Sequence, residues 1–116
     1  MLPEKNRLKK KKDFERVFKE GNGFKEDFLY LKIIRNGLKS SRFGFAISKK
    51  FSKKATTRNQ IKRRIRELVK AKLPLMKRNI DGVIVVIPGL EKKDFWELEE
   101  VINKLFLKAG LTEIKD

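Results

Sequence analysis

Apolar residues recur along this chain with two periods, and each change of period marks an element. Phe14, Val17 and Phe18 fall at i, i+3 and i+4, which predicts a short helix over about Asp13–Glu20. Gly21 and Gly23, flanking Asn22, read as its stop. Residues 28–35 and 42–48 are rich in strand formers and sort by parity. Leu29, Leu31 and Ile33 share one face, as do Phe43, Phe45 and Ile47, and these are the expected core faces. The opposite faces carry Phe28, Tyr30 and Lys32 on one strand and Gly44, Ala46 and Ser48 on the other. Such a surface, small residues beside aromatics and a cation, suits something flat lying on it. Asn36-Gly37 between the two strands predicts a hairpin-type turn.

Thr57 and Gln60 have capping-box spacing and open a second helix. Ile61, Ile65, Leu68 and Val69 lie at i, i+4, i+7 and i+8 and form its buried side. Asn59, Lys62, Arg63, Arg66 and Lys70 gather within an arc of about 100° on another side, and Pro74 ends the helix. The run Val83–Ile87 is continuously apolar, which suits an interior strand covered on both faces. A last helix starts near Asp94, with Leu98, Val101, Ile102, Leu105 and Phe106 as its stripe. The sequence therefore reads as one α+β domain over residues 13–116, with the second and third helices against one face of a mixed sheet. Residues 1–12 precede it as a basic, flexible or loosely docked arm.

Charge narrows the function. Of 116 residues, 31 are Lys or Arg and 15 Asp or Glu, a net +16 with a pI near 10.3. Residues 1–90 carry +18 and residues 91–116 carry −2, and Arg42 to Arg66 holds ten cations without one acidic residue. A solvated surface intermixes its signs; this density points to a polyanionic partner, for which nucleic acid is the usual candidate. With 40% hydrophobic residues the chain still has enough apolar material for a core. The Lys-rich N-terminus has no apolar segment behind it, and no run approaches the ~20 residues of a membrane span. The expectation is a cytoplasmic protein with no membrane partner and no small-molecule substrate.

There is no Cys and no His, which removes thiolate chemistry, the usual general base and the usual transition-metal ligand. Asp13, Asp27 and Asp81 are scattered, so no catalytic or metal-ligating residue is expected. Binding chemistry is better supplied. On the second helix Arg58, Lys62, Arg63 and Arg66 can neutralise phosphates. Arg adds a bidentate fork and a stacking plane, and Asn59 can donate and accept together. Only Glu67 provides an opposite charge there. Phe14, Phe18, Phe28 and Tyr30 form an aromatic set beside this positive track, the combination that binds single-stranded nucleic acid; packing of Phe14 and Phe18 in the core is the competing account.

These residues resemble a known family. Lys49-Lys50-Phe51, then Lys54-Ala55-Thr56, then Arg58-Asn59-x-x-Lys62-Arg63-x-x-Arg66-Glu67 is similar to the signature of the bacterial ribonuclease P protein component. Arg7-Leu8-Lys9, Asp13-Phe14-x-x-Val17-Phe18-Lys19-x-Gly21, Arg42-Phe43-Gly44 and Asp81-Gly82-Val83-Ile84-Val85-Val86 agree in order and spacing, so the resemblance covers about residues 7–106. Gln60 stands where the family carries a second Arg, and the loop from Ser52 to Thr57 is one residue longer than usual. The resemblance implies an α-β sandwich with a mixed four-stranded sheet and about three helices, ordered α-β-β-β-α-β-α with a left-handed βαβ crossover. It implies two partners, a catalytic RNA and precursor tRNA, and endonucleolytic removal of the tRNA 5′ leader with catalysis by the RNA and magnesium at the RNA active site. Catalytic-RNA contacts would fall on Lys49, Lys50, Lys53, Lys54, Arg58, Asn59, Lys62, Arg63 and Arg66. The leader would lie in a cleft of Phe14, Phe18, Phe28, Tyr30, Lys32 and Ser48. A ribosomal protein or general RNA chaperone is the alternative; it needs the basic face but not the aromatic cleft. Binding to an anionic membrane ranks last, because the apolar helix faces are needed for the core.

Overall fold

Alternating apolar residues need a second layer to cover them, and here helices cover both faces of one sheet. The computed structural model describes residues 2–47, 54–87 and 95–113, the side chains of residues 95 and 96 aside. Strands β1 (Asn22–Glu26), β2 (Leu29–Arg35), β3 (Arg42–Ile47) and β4 (Ile80–Val86) form a mixed sheet in the order β1-β2-β4-β3. β2 is antiparallel to both β1 and β4, while β3 runs parallel to β4. Helices α1 (Lys11–Glu20), α2 (Ala55–Lys72) and α3 (Phe95–Lys108) complete the order α-β-β-β-α-β-α.

The main core lies between the sheet and α2 with α3. Leu29, Leu31, Ile33, Phe43, Ile80, Ile84 and Val86 of the sheet meet Ile65, Leu68 and Val69 of α2 and Leu98, Val101, Ile102, Leu105 and Phe106 of α3. Phe43 and Phe106 stack with ring centroids 5.8 Å apart. On the other face a smaller cluster of Leu8, Val17 and Val83 docks α1. β4 is thus covered on both sides, as its unbroken apolar run predicts.

Several local expectations change. β2 and β3 are not a hairpin: β4 lies between them. Gly37 does take a left-handed φ of 66°, but Asn36 organises a longer connection, accepting from the Leu38 N–H and donating to the Ser40 carbonyl. The tight hairpin instead joins β1 to β2 through residues 27 and 28, with Asp27 at φ 56°. β1 has no apolar alternation to betray it: Phe24 is its one hydrophobic residue and most of the strand is exposed. Gly21 ends α1 without a left-handed φ; what it supplies is room, since a Cβ would fall 2.4 Å from the Val17 carbonyl oxygen and 2.9 Å from that of Ile33. α2 starts at Ala55 with Lys54 as N-cap and no side-chain cap bond, so Thr57 lies inside the first turn and the Thr57–Gln60 box does not form. The expected start of α3 at Asp94 lies outside the described residues.

The N-terminal segment is part of the fold rather than a loose arm. Leu2 and Leu8 are buried, the Leu8 N–H donates to the Phe43 carbonyl at 3.0 Å, and the buried Asn6 amide donates to the Ser41 carbonyl at 2.7 Å. Its lysines point out while its leucines anchor it, a split that composition averages away.

Candidate nucleic-acid interface

Pairing register aligns two rows of side chains on the α1 face of the sheet. Lys32, Val83 and Gly44 form one row, and Tyr30, Val85 and Ala46 the next. α1 crosses the first row. The Phe14 ring sits on Gly44, where a Cβ would fall 2.3 Å from Phe14 Cζ; Val17 and Val83 are fully buried together; and the Lys32 ammonium donates to the Phe18 carbonyl near the C-terminal end of α1. The second row stays half-exposed beside the helix. Tyr30 reaches over β1, where Gly23 leaves space for its ring and hydroxyl: a Cβ there would collide with Tyr30 Oη. Phe18 has 41% of its surface exposed. An open strip with Tyr30, Val85, Ala46 and Phe18 around it therefore runs beside α1.

Phe28 does not belong to this strip. It is only 4% exposed and packs in the main core. Parity fails because Phe28 is a turn residue ahead of β2, and the left-handed Asp27 resets the direction of the chain. We expect Phe28→Leu to cost about 1 kcal/mol or somewhat more in a urea melt, as volume-similar core swaps do, while RNA affinity stays at its starting value. Ser48, and with it one wall of the expected cleft, lies outside the described residues.

The basic helix is placed as its periodicity predicts. Ile65, Leu68 and Val69 are buried, Lys54, Asn59 and Arg63 are exposed, and Arg58, Lys62 and Arg66 are half-exposed. The Arg66 guanidinium stands 5.7 Å from the Phe45 ring centroid, a cation–π contact. Lys62 and Arg66 line a recess of about 270 Å³ together with Arg7, Lys9, Phe14, Gly44 and Phe45. Arg7 and Lys9 come from the docked N-terminal segment and Phe45 from a strand face assigned wholly to the core, so the sequence alone does not bring these three to the interface. Lys49, Lys50 and Lys53 lie outside the described residues.

Across α1 from the strip, in a further row of Ile34, Asp81 and Arg42, lies an ion-pair network. Asp81, 1% exposed, accepts from Arg42 Nε at 2.8 Å and Nη2 at 2.5 Å, and from the Asn36 amide at 3.0 Å. Arg42 Nη1 also lies 3.5 Å from Asp13 Oδ2 in the first turn of α1. Hydrogen bonding to Asp81 holds the Arg42 pKa above its ordinary value, so this guanidinium is a permanent cation.

Among the described residues no group of three or more carboxylates could hold a metal ion, and no helix is long and apolar enough to cross a membrane. A larger hollow of about 620 Å³ lies between the end of α2 and α3, walled by Leu75, Met76 and Leu107. No aromatic residue lines that hollow, whereas Phe14 and Phe45 meet Arg7, Lys9, Lys62 and Arg66 at the smaller recess.

The sequence pattern of the Ribonuclease P family matches residues 2–110. The ribonuclease P protein component of Dictyoglomus turgidum is 36% identical over 112 residues, covering 95% of this chain and 93% of the relative. The solved RNase P protein from Thermotoga maritima superposes with a TM-score of 0.77 at 31% identity, covering 95% of this chain and 98% of the other. That of Staphylococcus aureus superposes with a TM-score of 0.85 at 24% identity, covering 93% and 98%, a likeness of fold. With a basic helix, an aromatic strip and an α+β sandwich of the same shape, this chain belongs to the ribonuclease P protein component family, the protein subunits of a tRNA-processing ribonucleoprotein nuclease.

Proposed function

We propose that this protein binds the catalytic RNA of ribonuclease P through α2 and holds the 5′ leader of precursor tRNA on the strip beside α1. The RNA subunit carries out the endonucleolytic step that gives the mature tRNA 5′ end. The observation that carries the reading is the pairing of two unlike surfaces. Lys54, Arg58, Asn59, Lys62, Arg63 and Arg66 offer phosphate contacts on a helix that carries one acid among them. Tyr30 and the exposed Phe18, with Phe14 behind them, offer faces on which unpaired bases stack. A protein binding only duplex RNA would need the first surface and not the second.

The magnesium that supports cleavage is held by the RNA in this reading, and no side chain of this chain is assigned to it. The protein's own work is to bind and orient: cations draw in the catalytic RNA, and the strip keeps the leader extended. Holoenzyme reconstituted with catalytic RNA should cleave precursor tRNA at low magnesium, whereas the protein alone should not. Within that holoenzyme, Tyr30→Ala and Phe18→Ala should each lower affinity for precursor tRNA by about 1–3 kcal/mol per lost stack. Mature tRNA, which lacks a leader, should bind as before. Equal losses on both substrates with a lowered melting temperature would assign these aromatics to packing instead.

A further inference from the structure

α1 is a weakly anchored wall. Val17 is its one fully buried residue, docked in a small cluster with Leu8 and Val83. Its seat on the sheet is close, with Phe14 against Gly44 and Gly21 against the β2 backbone, but the apolar cluster under it, with Phe14, Ile34 and Val85 at its margin, is far smaller than the main core. Two cations rooted in the sheet hold its ends. Arg42 of β3 is fixed by its two hydrogen bonds to the buried Asp81 and reaches Asp13 in the first turn. Lys32 of β2 donates to the carbonyl of Phe18, one of the last-turn carbonyls that the helix leaves without an intrahelical partner. The Lys32 contact also puts a positive charge at the negative end of the helix dipole. The two ties lie on different strands, one at each end of the helix.

We propose that Arg42 and Lys32 are positioning residues, which set the height and angle of α1 over the sheet and so the width of the strip that receives single-stranded RNA. This rests on the leader reading above and revises one part of it: the ammonium of Lys32 is committed to the helix end rather than to a leader phosphate. Neither cation touches the RNA; both act through Phe14 and Phe18, whose ring positions follow the helix.

The test uses reconstituted holoenzyme carrying Asp13→Asn, Lys32→Met, Lys32→Arg or Phe18→Ala. The readout is the ratio of affinities for precursor tRNA with a leader and for mature tRNA, measured over a range of salt. Asp13→Asn and Lys32→Met should each lower the ratio about two- to fivefold, the equivalent of one lost helix-end interaction. Lys32→Arg, which keeps a cationic donor, should restore it. The salt slope for the leader should not change in Lys32→Met, because no phosphate contact is lost. Amide hydrogen exchange in α1 should quicken in the same two variants while exchange in β4 does not, which separates a loosened wall from general unfolding. A leader slope shallower by about 0.7 in Lys32→Met would mark a direct phosphate contact on single-stranded RNA and overturn the assignment. So would an unchanged ratio in both variants while Phe18→Ala lowers it. If Phe18→Ala leaves the ratio unchanged as well, the leader reading itself fails and takes this proposal with it.

Discussion

Asp81→Ala should destabilise the protein by about 3 kcal/mol, toward the lower end of the range for breaking a buried ion pair from one side. Asp81 is 1% exposed and accepts three hydrogen bonds, two from Arg42 and one from Asn36. Removing its carboxylate leaves the guanidinium, whose side chain is 26% exposed, with Asp13 as its remaining acidic neighbour, and that neighbour together with the residual access to water is why the cost is not higher. A small domain has about 5–15 kcal/mol of stability in all, so the loss is a large part of the whole. It would register as a lowered urea midpoint with an unchanged m-value. Asp81→Asn should cost less, because one acceptor survives. Replacing both partners, as in Arg42→Met with Asp81→Leu, should recover only part of the loss, since the Asp81 position then holds no stranded charge but Asp13 loses the guanidinium it faces. A loss below about 1 kcal/mol for Asp81→Ala would mean that the network carries little of the stability.

The second large effect is on RNA affinity. With Arg58, Lys62 and Arg66 all changed to Ala, the plot of log K against log salt for the catalytic RNA should become shallower by about 2–3, roughly one counterion per lost phosphate contact. Affinity should fall most at low salt, where those contacts contribute most. The fold should largely survive, since the three side chains are half-exposed and the apolar side of α2 is untouched. Arg66 has a second role, its stack on Phe45, so Arg66→Lys should keep the salt slope while giving up the planar contact. Filter-binding titrations across a salt series check both points, and parallel slopes for the triple variant and the parent would remove α2 from the interface.

Much of this architecture was legible because helix and strand periods are local properties. The parity of Leu29, Leu31 and Ile33, the spacing of Ile65, Leu68 and Val69, and the unbroken apolar run of β4 each need only near neighbours in sequence, and each found its expected core face. The basic arc of α2 was readable for the same reason. Fold order and family membership came from motif resemblance, which carries the outcome of global packing that periodicity cannot supply. β1 escaped because an exposed edge strand needs no apolar alternation. Phe28 was misplaced because a turn breaks the period on which strand parity depends.

Local pattern and composition thus specify every element except β1, the core faces apart from Phe28, the polyanion-seeking charge and the lack of any His or Cys chemistry. Long-range packing alone places β4 between β2 and β3, docks the N-terminal segment by Leu2 and Leu8, brings Arg42 to Asp81 across 39 residues and sets Lys32 at the end of α1. Those contacts join segments far apart in the chain, and they depend on the closure of the whole sheet rather than on any preference of the residues that make them.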